Sequence, residues 1–131
     1  MRCLSWNCRG LGNPEAVREL RNDVKQEGPA LLFVMETKIR AKRVESLQNT
    51  LGFVGSFAVD SVGLSGGIGF FWSRDVTVEL QNFSAGHIDV IVQKADQTSL
   101  AWRFTGFYGA PRSEDRHHSW RCLRNLHAVQ H

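Results

Sequence analysis

Three polar residues fall where an apolar stretch gives way to loop: Asn7 after CLSW, Glu36 after LLFVM and Tyr108 after RFTGF. A carboxylate and an amide oxygen are hard donors suited to Mg²⁺, which keeps several of its waters, takes few protein ligands and often works with substrate phosphate. A phenol can donate a hydrogen bond to a phosphate oxygen. Brought to one rim, an acid, an amide and a phenol would suit metal-assisted chemistry at a phosphate. Taken singly, each has a plainer reading. A Glu past a strand is more often a solvated end or helix cap, an Asn before glycines a turn former, and a Tyr an ordinary residue at the edge of a core.

The elements that must position them come next. Cys3 to Trp6 is a short strand candidate, and GNPEAVRELRNDVKQEG reads as a helix. Asn13 can cap its free amides, Pro14 suits the first turn, Glu15 complements the dipole and Gly28 suits the stop. Val17, Leu20 and Val24 then form one buried stripe. The run ALLFVM is continuous and apolar, as a strand covered on both faces requires, so the start of the chain is a βαβ unit. AKRVESLQNTLG repeats the helical logic, with Val44, Leu47 and Leu51 on one face and Gly52 as the stop. FVGSFAVD, GIGFFW, VTVELQNF, HIDVIVQK and LAWRFTGFY are short β-rich segments of an antiparallel meander, with GLSGG and SAG as turns. The tail RHHSWRCLRNLHAVQH reads as a helix capped near Ser113, with Trp120, Leu123 and Leu126 at helical spacing.

At 131 residues and 42% hydrophobic content the chain has the size and composition of one globular domain. A net charge of +3 favours polyanionic partners only mildly. Three cysteines without a CxxC pair and no basic-then-apolar leader point to a reduced intracellular setting, nuclear or cytoplasmic. No apolar run approaches the roughly 18 residues of a membrane span, so no membrane association is expected. A zinc cluster of the tail histidines with Cys122 is not expected, since no CxxC pair accompanies them.

In series, LSWNCRGLGN, FVMETK, SGGIGFFW and FTGFYGAP resemble the endonuclease/exonuclease/phosphatase superfamily. Within it they look most like the apurinic-endonuclease-like domain at the head of plant non-LTR (LINE-type) retrotransposon polyproteins. The resemblance implies a DNase I-like four-layer α/β sandwich and a Mg²⁺-dependent phosphodiesterase, with Mn²⁺ as an alternative ion, that nicks DNA. Carried over by motif position, Asn7 and Glu36 would be metal-site residues and Tyr108 a catalytic residue at the scissile phosphate. Arg9, Lys38 and Arg112 would contact nucleic acid.

The departures matter as much. The superfamily continues with an Asp-x-Asn motif and a Ser-Asp-His motif, and neither pattern occurs in residues 1–131. The chain is therefore expected to be a partial sandwich, the first β-sheet with its flanking helices, whose inner sheet face is exposed and prone to self-association. Loss of those groups should leave the isolated chain inactive, since each typically contributes about 10²–10⁴-fold. The rival readings are a non-catalytic nucleic-acid-binding or protein-interaction remnant, and another phosphoesterase of the same superfamily.

Overall fold

A computed structural model describes residues 2–60, 66–96 and 100–108, together with the backbone of 117–121. Strand β1 (Arg2–Asn7) leads into helix α1 (Pro14–Glu27), which returns the chain to β2 (Leu31–Met35), parallel to β1. The ends of α1 are where local chemistry puts them. Asn13 accepts a hydrogen bond from the Glu15 amide at 2.7 Å, and Gly28 takes a left-handed conformation (φ 59°) while its amide closes on the Val24 carbonyl. Leu20 and Val24 are buried and Val17 packs beside them, giving the expected stripe.

The unbroken apolar run of β2 has the cause expected for a covered strand. Leu31 and Phe33 enter one core cluster, while Leu32 and Val34 enter another on the opposite face. The helix-side cluster takes Leu4, Trp6, Leu20, Val44, Leu51 and Phe71. The segment read as one helix over AKRVESLQNTLG is two short ones, α2 (Ala41–Glu45) and α3 (Gln48–Leu51). Between them the Ser46 hydroxyl donates to the Arg43 carbonyl at 2.6 Å, a local bond that competes with helix continuation. Val44 and Leu51 are buried all the same, and Gly52 ends the segment at φ 83°.

The β-rich remainder divides between two sheets. Strands β3 (Gly55–Val59) and β4 (Ile68–Trp72) complete a mixed sheet, and β5 (Val76–Ser84), β6 (His87–Lys94) and β7 (Trp102–Phe107) form a separate antiparallel meander. The larger sheet has the order β3-β4-β2-β1-β8, where β8 spans His117–Arg121. The helix expected in the tail is thus replaced, over those residues, by a strand antiparallel to β1. Pairing satisfies the amides and carbonyls along the open edge of β1, a non-local gain that helical periodicity does not register. Arg112 and the rest of the tail lie outside the described residues.

The face expected to be exposed is also covered. Cys3, Leu31, Phe33, Ile68 and Phe70 of the larger sheet pack on Val76, Ile88, Val90, Val92, Trp102 and Phe104 of the smaller one. Phe104 joins the layers, stacked on Phe70 at 5.4 Å between centroids and edge-on to Phe33 at 6.5 Å. The close approach rests on Gly106, where a Cβ would lie 2.6 Å from the Phe33 ring. The described architecture is therefore the expected partial α/β sandwich, helices on one face of the first sheet, with a second sheet packed on its other face. On the outer side of the second sheet, buried Asp89 accepts from Arg103 and Thr105 and from Asn82. The Arg103 hydrogen bond is the main reason the Asp89 carboxyl is held below its usual range.

The cysteines differ from one another. Cys8 is a free, buried thiol, but Cys3 is disulfide-bonded. An odd cysteine count without CxxC thus did not mean that every thiol is reduced. No described helix is long and apolar enough to cross a membrane.

Candidate metal and phosphate site

Asn7 is the last residue of β1 and pairs in register with Met35, so Glu36 follows immediately on the neighbouring strand. Parallel pairing of β1 and β2 brings their ends to the same rim. The ladder continues past both strands. The Cys8, Gly10 and Leu11 amides donate to the Met35, Glu36 and Thr37 carbonyls, each at 2.8 Å. Across the other side, the Thr37 and Lys38 amides donate to the carbonyls of Gly67 and Gly66. These two glycines, at φ 91° and 78°, explain what the GG of SGGIGFFW does: their carbonyls buttress the Glu36 loop.

Within this frame three non-glycine residues hold left-handed backbone: Arg9 (φ 49°), Glu36 (φ 53°) and Lys38 (φ 57°). Such conformations cost about 1–3 kcal/mol each and persist only where surrounding bonds over-determine them, as the two-sided ladder does here. Their concentration on one rim marks a place where backbone strain serves side-chain placement.

Asn7 and Glu36 are 7% and 9% exposed. The Asn7 amide nitrogen donates to Glu36 Oε2 at 2.6 Å, and Asn7 Oδ1 accepts from the Arg9 amide at 3.2 Å. That arrangement makes Asn7 the group that orients the carboxylate, with its oxygen already engaged by backbone. Glu36 forms no ion pair among the described residues. A carboxylate so deeply placed without a cation is costly, and burial of charge is ordinarily repaid by a paired charge or a metal. The Glu36 carboxylate is a hard oxygen donor, as Mg²⁺ or Mn²⁺ requires, and so few protein donors match the habit of Mg²⁺ to keep waters and share substrate oxygens. Among the described residues no three His, Cys, Asp or Glu side chains cluster as a fuller cage.

Tyr108 reaches the rim from the second sheet. It follows β7, its amide donates to the Gly86 carbonyl at 2.8 Å, and its ring packs against the core between the sheets. Burial, and then the negative charge of Glu36, push the phenol above its ordinary value, which places the two side chains in one electrostatic environment. The hydroxyl is therefore a hydrogen-bond donor at neutral pH. Tyr108 is the one tyrosine of the chain, so the ultraviolet absorbance of phenolate titrates it alone. Its midpoint is expected above that of free tyrosine, with Glu36→Gln lowering it part of the way and burial holding the remainder. A folded-state proton held more tightly also means that stability falls as pH rises past about 10, the unfolded tyrosine value.

Of the residues singled out from sequence, Asn7 and Glu36 are hydrogen-bonded to each other, Tyr108 lies near enough to feel the Glu36 charge, and Arg9 and Lys38 are exposed beside the pair in sequence. Lys38 crosses Gly10, whose missing Cβ would stand 3.9 Å from the lysine Cδ. Arg112 lies outside the described residues. Sequence reasoning missed Thr37, fully buried between Glu36 and Lys38 with an Oγ1 that has no hydrogen-bond partner among the described residues. A Thr inside a loop motif gives no signal of burial in advance.

No protein-family model and no curated protein matches the chain. Solved structures do. An AP endonuclease of Leishmania major aligns with a TM-score of 0.56 and 16% identity over 82% of this chain and 39% of its own. The human Nocturnin catalytic domain, solved with a bound sulfate anion, gives 0.60 and 14% over 80% and 48%. The endonuclease domain of TRAS1, a telomere-specific non-LTR retrotransposon, gives 0.57 and 15% over 86% and 48%. At such identities the likeness is one of fold, and the chain spans less than half the length of these structures.

Proposed function

We propose, starting from the DNase I-like fold of the endonuclease/exonuclease/phosphatase superfamily, which this chain has, that it is part of a Mg²⁺-dependent DNA endonuclease of retrotransposon type. The observation that carries the reading is the buried Glu36 carboxylate, without an ion pair among the described residues, oriented by Asn7 and acting electrostatically on the Tyr108 phenol. A bound divalent ion, Mg²⁺ or Mn²⁺, would polarise a phosphoryl oxygen and offset developing charge. Glu36 would hold such an ion, Asn7 fixes the carboxylate rotamer, and the Tyr108 hydroxyl would donate a hydrogen bond to a phosphate oxygen. Arg9 and Lys38 hold the flanking nucleic-acid backbone. The four sequence motifs favour this substrate class over other phosphoesters, and the fold likeness to TRAS1 is compatible with it. DNA as partner places the chain in the nucleus or cytoplasm. Association between copies would use the outer face of the second sheet, where Phe107 is 72% exposed.

Residues 1–131 contain neither an Asp-x-Asn nor a Ser-Asp-His pattern, so we assign the 131-residue chain by itself no turnover. A supercoiled-plasmid nicking assay tests this. With Mg²⁺ the chain is expected to nick no faster than its Glu36→Ala variant, while binding the plasmid in a salt-dependent way. Mg²⁺-dependent nicking lost in Glu36→Ala would overturn the assigned inactivity, and absence of both DNA and metal binding would overturn the functional reading itself.

A further inference from the structure

Beyond the rim, the stretch KIRAKR places Lys38, Arg40, Lys42 and Arg43 within six residues. All four are exposed, and with Ile39 and Ser46 they line a shallow cavity of about 630 Å³ that has no acidic residue in its wall. None of them forms an ion pair among the described residues. Two acids lie nearby: Asp60 accepts from the Ala41 amide at 2.6 Å and Glu45 from the Ala58 amide at 3.0 Å, and neither forms an ion pair with the four cations among the described residues. The cations outnumber these carboxylates, so the patch keeps a positive excess.

The patch is built into the site. Arg43 donates to the Gly12 carbonyl at 3.3 Å, and a Cβ on Gly12 would touch Ile39 at 3.4 Å, so the β1–α1 loop lies directly against it. Lys38, held in left-handed backbone by its bond to Gly66, stands next to Glu36, and the other cations lead away from the rim along α2. A row of exposed cations suits a polyanion with regularly spaced charges better than a single enclosed anion. A membrane surface would call for protruding apolar side chains, whereas Ile39, the one large apolar residue of the patch, is half-buried.

We infer that Lys38, Arg40, Lys42 and Arg43 form a track for the phosphate backbone of duplex DNA, leading it to the Glu36 rim without reading its sequence. The inference rests on the DNA reading of that rim, but its test needs no metal and no turnover. Fluorescence anisotropy with two labelled duplexes of unrelated sequence, in chelator and over a salt series, compares three forms of the 131-residue chain. These are the parent, Arg40→Gln/Lys42→Gln, and Arg18→Gln/Arg21→Gln on the exposed side of α1 as a charge-matched control. The track variant is expected to weaken binding equally on both duplexes and to reduce the slope of log affinity against log salt by about 2, near one for each phosphate contact. The control is expected to keep the parental slope. An unchanged slope in the track variant, an equal change in the control, or track-dependent binding to phosphatidylserine vesicles without DNA binding would overturn it. Failure of metal to bind at Glu36 would contradict the phosphodiesterase reading and leave this result standing.

Discussion

Glu36→Gln is expected to weaken Mg²⁺ and Mn²⁺ binding by more than about a hundredfold while leaving the protein at least as stable as its parent. Changes to groups that merely orient a ligand typically cost about 10–100-fold in metal affinity, and this change removes the anionic donor that Asn7 orients. Gln keeps an oxygen able to accept from Asn7 Nδ2, so the 2.6 Å contact and the strained backbone around it can persist. Stability is not sacrificed, because a carboxylate 9% exposed and without an ion pair carries a desolvation cost that the amide does not. Asn7→Ala should fall in the orienting range, about 10–100-fold. Calorimetric titration reads the affinities and urea unfolding the stabilities. A destabilised Glu36→Gln that still binds metal would mean the carboxylate serves the fold.

Gly106→Val is expected to destabilise the chain by about 2–3 kcal/mol, at the upper end of overpacking effects. By intrinsic preference alone the sign would be opposite, since Val favours strands and Gly does not. The clash decides: a Cβ at this position lies 2.6 Å from the ring of Phe33, which is 4% exposed and held between the sheets, so the ring has nowhere to go. Phe33→Leu should relieve part of the cost, and the double-mutant cycle should show coupling. An equal penalty in both backgrounds would place the defect elsewhere. Because Tyr108 follows Gly106 by two residues, separation of the sheets should also return the phenol toward its ordinary titration.

The amino-terminal βαβ unit was legible because its signals are local: Asn13, Pro14 and Gly28 bracket α1, and LLFVM shows burial on two faces. Where long-range pairing decides, the pattern was ambiguous. Trp120, Leu123 and Leu126 have helical spacing, yet His117–Arg121 pairs with β1 because an open edge outweighs periodicity. The β5–β7 alternation announced strands, but not that they would leave the first sheet. That depends on Gly106 admitting Phe33 and on Phe104 stacking over Phe70. At the site, strand ends gave Asn7, Glu36 and Tyr108. The direction of the Asn7 amide, the left-handed backbone at Arg9, Glu36 and Lys38, and the burial of Thr37 arise from bonds between loops far apart in sequence.

The most direct test of the central claim is paramagnetic broadening by Mn²⁺ in amide NMR spectra of the 131-residue chain at neutral pH. Broadening centred on Asn7, Glu36, Thr37 and Tyr108, and lost in Glu36→Gln, is the predicted result. Broadening centred on other carboxylates such as Asp75, or unchanged in Glu36→Gln, would contradict a metal site at this rim.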